Sequence, residues 1–446
     1  MKKTIVLASA SLLFVNLTKA QDTTKVVAKE EAKPSPFTFS GYIDSYYNYN
    51  LNNPQSGSNL GASGTARAFD QRSNTLGLGL IQTKFGYTNK RSDVVVDLTF
   101  GPNADLGNYG NNPFLSWNPT TVGAPIALNG TKTAGTAGNF GAGTFLGSIA
   151  VKQAYWNFKA TDKLTFTAGQ FGTHIGYEVI DAPINYNYSL SNLFNNGPFY
   201  HIGVKANYAF SDRFAVMGGV VNNVDALYDN NKAKDIIGQV YIKPAEGWNV
   251  YINYIGGNEA NPSKTTGKDT TGLYQLLDLT TGYQITKKFY FGVNAAYGSQ
   301  KGDYQGVLGG ITPGSVGHQD AKLDTTRHWG GVALYSNFQF NDYFGIGGRA
   351  EYFNNEAGVR SLINTNALAS GASSTGGTSV MDYTLTGKIT LDGGHLILKP
   401  EIRMDVFKKF AYSGPASGDI QQFQDSNGNW TKNSQTTVGL AMIYTY

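Results

Sequence analysis

The densest run of ionisable side chains lies in Leu396-Ile-Leu-Lys-Pro-Glu-Ile-Arg-Met-Asp405, where Lys399, Glu401, Arg403 and Asp405 fall at every second position. Arg349 and Glu351 repeat the spacing in Gly347-Gly-Arg-Ala-Glu-Tyr-Phe353. In an extended chain alternate side chains share a face, so charges of both signs line one face while Leu396, Leu398, Pro400, Ile402 and Met404 line the other. Such a face handles ions. It is either an electrostatic pore lining that selects solutes or a salt-bridged ladder that stiffens a wall. A second group, Glu178 and Asp181, lies in Ala168-Gly-Gln-Phe-Gly-Thr-His-Ile-Gly-Tyr-Glu-Val-Ile-Asp-Ala-Pro-Ile-Asn185, which departs from alternation after Phe171.

Catalysis has less to build on. The histidines are His174, His201, His318, His328 and His395, and none stands in a Ser–His or Asp–His constellation. The absence of cysteine excludes disulfides, thiolate metal sites and cysteine nucleophiles together. Asp425-Ser-Asn-Gly-Asn429 lacks the spacing and closing Glu of a calcium loop and reads as an Asx-rich turn. Gly-rich stretches lie between strands rather than before a helix, so no phosphate cradle is read. The expectation is a protein that is not an enzyme and has no cofactor and no metal.

The elements that must position these charges have period two. Phe37, Phe39, Ile43, Tyr47 and Tyr49 oppose Thr38, Ser40, Tyr42, Asp44 and Asn48. The alternation returns at Val94–Phe100, Tyr200–Phe210, Trp248–Tyr254 and Met381–Ile389. Leu76, Leu78 and Leu80 are out of phase with Phe85 and Tyr87, which predicts a bulge near Ile81, and Pro400 predicts another because it cannot donate to a ladder. Short turn signals near Asn89–Ser92, Thr161–Lys163, Ser211–Arg213, Pro244–Gly247, Thr286–Lys288, Asn341-Asp342 and Asp392–Gly394 alternate with long polar stretches, the largest near 102–147. Two strands per turn plus a first and a last give about sixteen, an even number as in bacterial outer-membrane barrels. Aromatic residues flank the turns, as at a membrane–water boundary: Phe158, Phe210, Phe214, Trp248, Phe289, Phe340, Tyr343 and Phe344.

Composition agrees. Charged residues are 15% of the chain against roughly 25% in soluble domains, while aromatics reach 13% and Gly numbers 55 of 446. Residues 1–20 carry Lys2 and Lys3, an apolar run from Ile5 to Leu17 and then Thr18-Lys19-Ala20, the layout of a signal peptide cut after about Ala20. Its loss removes three lysines and no acid, leaving a nearly neutral chain for which nucleic acid is no partner. Residues 21–36 read as a flexible periplasmic tether, and 37–446 as one all-β domain. That domain is a transmembrane antiparallel up-and-down β-barrel with short periplasmic turns and long extracellular loops. If 172–198 follows the fifth strand, it folds inward as a constriction loop, setting Glu178 and Asp181 opposite Arg349, Lys399 and Arg403. An external loop and a barrel plug are the alternatives.

The segments Gly169-Gln-Phe-Gly-Thr-His-Ile-Gly-Tyr-Glu-Val-Ile-Asp181, Asn185-Tyr-Asn-Tyr-Ser189 and Pro198-Phe-Tyr-His-Ile-Gly203 resemble the central signature of the OmpL-like β-barrel porins of Bacteroidetes and related bacteria. Gly348-Arg-Ala-Glu-Tyr-Phe353 and Lys399-Pro-Glu-Ile-Arg403 resemble two later blocks of that family. The resemblance runs from about Phe37 to Tyr446. It implies a porin-like barrel in the outer membrane and supplies no solute; Gln170 stands where a basic residue is expected in many members.

The expected function is passive diffusion of small hydrophilic solutes or ions through a water-filled lumen in the Gram-negative outer membrane. The expected partners are outer-membrane lipids, those solutes and the barrel-assembly machinery, which would read the C-terminal strand ending in Tyr446. Homo-oligomerisation is left open. The alternative function is an occluded barrel acting as an adhesin or surface-binding platform, with the 102–147 loop as its contact surface.

Overall fold

The computed structural model describes residues 35–67, 69–107, 150–222, 224–225, 229, 231–258, 272–301, 326–360, 362, 377–408 and 421–446. The expected signal peptide, residues 21–34 of the tether, residues 108–147 of the long loop and His318 lie outside the described residues.

Sixteen strands form the wall. The first eight are β1 (Phe37–Asn50), β2 (Thr75–Thr88), β3 (Ser92–Phe100), β4 (Ala150–Lys159), β5 (Leu164–Gly172), β6 (Tyr200–Ala209), β7 (Phe214–Val221) and β8 (Asp235–Ala245). The remainder are β9 (Trp248–Asn258), β10 (Leu273–Gln284), β11 (Phe289–Lys301), β12 (Thr326–Gln339), β13 (Phe344–Asn354), β14 (Ser379–Leu391), β15 (Leu396–Phe407) and β16 (Ser434–Thr445). Each pairs antiparallel with its sequence neighbours, and β1 closes the barrel on β16 with Ile43 opposite Tyr444. Closure leaves no unpaired strand edge, which is what a sheet in hydrocarbon requires because no water is there to satisfy free N–H and C=O groups.

The lipid and lumen faces follow the alternation. On β10, Leu273, Leu277 and Leu279 are exposed while Tyr274, Leu276 and Asp278 are buried; on β14, Met381, Tyr383 and Leu385 are exposed while Asp382, Thr384 and Thr386 are buried. Tyr200 departs from the expected outward phase and is buried. Its N–H and that of Phe199 both donate to Asp225 Oδ1, so the chain beyond β7 folds over this end of β6. A lipid-facing charge near mid-strand is costly. Leu277→Arg is expected to lower the free energy of unfolding in lipid vesicles by about 2–4 kcal/mol, and Gln275→Arg, nearer the rim, by about 0–1 kcal/mol. Equal losses in urea titrations would contradict the depth assigned to this strand.

All seven predicted short turns join consecutive strands at one end, the end that also carries Phe37 and Tyr446. Side chains close several of them. Asn89 Oδ1 accepts from the N–H groups of Arg91 and Ser92, Thr161 Oγ1 from Lys163 and Leu164, Thr286 Oγ1 from Lys288 and Phe289, and Asn341 Oδ1 from Tyr343 and Phe344. Rings pack around these turns, including Phe210 on Phe214 with centroids 5.2 Å apart and Phe340 on Phe344, also 5.2 Å. They form an aromatic belt at the rim.

The out-of-phase leucines mark a register shift between β1 and β2. Ile43 pairs with Ile81 but Ser45 with Leu78, so Gly79 and Leu80 together face Asp44, slightly before the expected point. Leu80 turns inward as a result. Pro400 makes no bulge. The register of β15 is continuous on both sides, and pairing to β14 lapses only at Gly387 and Lys388. Gly387 lies against the proline ring, where a Cβ would come within 3.0 Å of Pro400 Cγ, so a missing side chain accommodates the ring without an extra residue.

Candidate functional site in the lumen

The chain leaves β5 at Gly172 and returns at Tyr200, and the segment between crosses the inside of the barrel. Gly169, at φ +120°, occupies backbone space where a Cβ would lie 2.3 Å from Ala154 O, and Gly176, at φ +90°, makes the inward turn. The segment then touches the opposite wall strand by strand. His174 Nε2 meets Tyr254 O on β9 at 2.9 Å, and the Gly176 N–H donates to Asp278 Oδ1 on β10 at 3.0 Å. Tyr177 donates to Tyr290 Oη on β11 at 2.9 Å and stacks on Tyr335 of β12 at 4.1 Å. The wall is thinned to receive these rings: a Cβ on Gly292 would sit 2.5 Å from Tyr177 Oη, and one on Gly347 would sit 3.2 Å from Tyr186 Cβ.

The inward charges grip this segment. Arg349 Nη1 bonds Glu178 Oε1 at 2.7 Å and Ser189 O at 2.6 Å, while its Nε and Nη2 reach Asp382 at 3.1 and 3.2 Å. Arg403 donates to Leu190 O at 2.7 Å and to Asp405 at 2.8 Å, and pairs with Asp382. Lys399 donates to Ala182 O at 2.7 Å and also to Asn185 O. The carboxylates complement them as acceptors of backbone N–H groups. Glu351 takes those of Asn192 and Leu193 at 2.8 and 2.7 Å, and Glu401 takes those of Tyr188 and Ser189 at 2.7 and 3.0 Å. Glu351 thereby caps the start of the short helix Asn192–Asn196, whose N-cap is Ser191. Asp405 pairs with Arg67, which reaches in from the β1–β2 connection and also holds Asp70.

Arg349, Glu351, Lys399, Glu401, Arg403 and Asp405 therefore point inward but are covered by the segment they hold; five of the six are no more than 3% exposed. Glu178 faces Arg349. Asp181 does not face Lys399 or Arg403; it lies across the lumen at Lys152 of β4, with Gln82 at 2.9 Å and Tyr42 at 3.2 Å. Occupancy of the cations accounts for the swap: Lys399 is taken by loop carbonyls, and Lys152 bridges Asp97 and Asp181. Charge-assisted bonds of this kind are each roughly twice as strong as neutral ones. What the arrangement does chemically is fix a loop inside a barrel. Asp382, Lys152 and Arg67 were not singled out from sequence; Asp382 carried a signal in its inward phase on β14, whereas Arg67 lies in an irregular connection with none.

Near the start of the segment, burial pushes the His174 imidazole down from 6.5 to about 4, assisted by the charge of Lys205, while the bonds to Tyr254 and Gly238 oppose the shift. The unfolded imidazole takes up a proton below about 6.5 and the buried one only near 4, so the seat is fully stable above 6.5 and weakens as pH falls through that window. Amide protection factors across 174–193, corrected for the intrinsic pH dependence of exchange, should fall between pH 6.5 and 4.5 in the wild type and lose that dependence in His174→Gln. Identical profiles would remove His174 from this role. Among the described residues no cluster of ligating side chains could hold a metal, and Asp425 closes its own turn by accepting from the N–H groups of Asn427 and Asn429.

A closed, even-stranded barrel with short turns at one end, an apolar outer face and an inward loop after the fifth strand defines the porin class of outer-membrane proteins. The chain belongs to the family described as Putative beta-barrel porin-2, OmpL-like, whose sequence profile matches residues 36–446. Solved structures with similar folds include the outer membrane channel DcaP of Acinetobacter baumannii, with TM-score 0.52 and 12% identity over 92% of this chain and 97% of that one. An anion-selective porin from Comamonas acidovorans gives TM-score 0.51 and 10% identity over 92% and 99%. OprB of Pseudomonas putida gives 0.50 and 12% over 92% and 94%. At these identities the likeness is one of fold. Comparison with curated protein sequences gave no significant match.

Proposed function

We propose that the barrel lets small hydrophilic solutes and ions diffuse across the outer membrane through the part of the lumen that the inserted loop leaves open. The observation that carries this reading is the loop itself. It is tied to β9–β15 on one side and to β1, β2 and β4 on the other, yet a cavity of about 240 Å³ lies beside it at the end with the short turns. A loop held by buried ion pairs narrows the passage without an energy source, which is sieving rather than pumping. Arg349, Glu351, Lys399, Glu401, Arg403 and Asp405 act here as the cradle of the constriction, with Glu178 and Asp181 as its two charged clasps. Family membership favours a channel over an adhesin or surface platform.

In the same reading the chain is exported with a signal peptide cut after about Ala20, is recognised for assembly through the strand ending in Tyr446, sits among outer-membrane lipids and catalyses no reaction. The end with short turns faces the periplasm. Liposome swelling tests the function. Vesicles containing the refolded protein should swell in isosmotic monosaccharide faster than empty vesicles, and the rate should fall steeply for trisaccharides. Swelling no faster than that of empty vesicles would exclude solute diffusion.

A further inference from the structure

Resting on the diffusion reading, we propose that the cavity beside the loop is a binding site for acidic sugars, entered from the periplasmic rim. Its charge is one-sided. Lys287, Lys288 and Lys388 line it, and no Asp or Glu does. Elsewhere in the lumen the described cations are mostly matched by carboxylates or loop carbonyls, whereas the ammonium of Lys388, half-buried on the inner face of β14, has no hydrogen bond or ion pair among the described residues. The Lys287 ammonium likewise has none, and the Lys288 ammonium makes only a bond to Phe340 O at 3.0 Å. An uncompensated group of ammonium charges in a partly enclosed site concentrates anions.

The rest of the lining fits a hydroxylated ring. Tyr186 and Tyr290 present tilted rings with centroids 5.4 Å apart, and Ile184, on the inserted loop, is 49% exposed inside the barrel. Together they offer an apolar surface for the C–H face of a pyranose. Asn249, Asn337 and Gln339 supply amide donors and acceptors for its hydroxyls. The volume, about 240 Å³, lies just below the roughly 300–1,000 Å³ of drug-sized ligand sites, which suits one ring and not an oligomer. A neutral sugar would leave the lysines unanswered, and a purely aromatic carboxylate would leave the amides unanswered. A hexuronate answers both.

Saturation-transfer NMR on the full-length mature protein, refolded in detergent, tests this with sodium glucuronate, glucose and sodium benzoate as probes. Glucuronate ring protons should receive saturation, glucose at least fivefold less at equal concentration, and the glucuronate signal should fall at least fivefold in Lys288→Gln/Lys388→Gln. A heat-modifiable gel shift verifies that the variant barrel is folded; Lys388→Arg, which keeps the charge, should retain the signal. Equal transfer to glucose, transfer to benzoate alone, or a signal unchanged by the lysine variant would each overturn the proposal. Binding of glucuronate by a protein that passes no solute would overturn the diffusion reading and leave the site standing. Solute flux with no glucuronate signal would overturn the site alone.

Discussion

Arg349→Ala is expected to unseat the inserted loop while leaving the barrel closed. The side chain is fully buried and bonds Glu178, Asp382, Ser189 O and Thr384 at once, so its removal takes the cation from buried Glu178 and a donor from Ser189 O, while Asp382 keeps Arg403. Breaking a buried pair by deleting one partner costs about 3–5 kcal/mol. The bonds to Glu178 and Ser189 O tie the loop to β13, whereas those to Asp382 and Thr384 join β13 to β14, so the loss of the first two falls on the loop. Amides of 176–193 should exchange faster by about two to three orders of magnitude, at roughly tenfold per 1.4 kcal/mol, with strand amides unchanged. Glu178→Gln should do less, because Asp382 still balances Arg349 and the new amide still accepts a bond. Exchange confined to the wild-type rate in Arg349→Ala would show that the backbone N–H bonds accepted by Glu351 and Glu401 suffice to hold the loop.

Excising 177–190 and joining the ends with a short Gly-Ser linker should have the largest effect on permeation. That stretch supplies Tyr177, Glu178, Asp181, Tyr186 and Tyr188, the side chains that reach β11, β13, β4 and β1. Without them Arg349, Lys399 and Arg403 face water beside Glu351, Glu401 and Asp405, and the inner wall becomes a charged surface of mixed sign. Conductance should rise several-fold and trisaccharides should enter vesicles that exclude them in the wild type. Unchanged size exclusion would move the constriction to another loop.

The wall was legible in the sequence because one physical rule governs it. A residue facing hydrocarbon must be apolar, so the phase of Val94–Phe100 or Met381–Ile389 reads directly as lipid side and lumen side. The turns were legible for a local reason too, since Asn89, Thr161, Thr286 and Asn341 close them with their own side chains. Pro400 misled because the compensating feature, Gly387, lies on a neighbouring strand 13 residues earlier.

The site was only half legible. Loss of alternation after Phe171 located the inserted segment, and opposite charge set Glu178 against the inward cations, among which the structure pairs it with Arg349. The partner of Asp181 did not follow, since the choice among Lys152, Lys399 and Arg403 depends on which lumen cations loop carbonyls already occupy. Nor did the backbone-accepting roles of Glu351 and Glu401, because N–H groups leave no mark in a sequence. Gly292 and Gly347 are the exception worth using. Glycines at inward strand positions mark where a ring from another segment lies against the wall.

Single-channel current through the refolded wild-type protein in planar bilayers, compared with the loop-excised variant, tests the central claim most directly. A narrowed but open porin predicts small discrete steps in the wild type and steps several-fold larger after excision. A folded wild-type barrel that stays silent while the excised form conducts would contradict the claim, making the inserted segment a plug rather than a constriction.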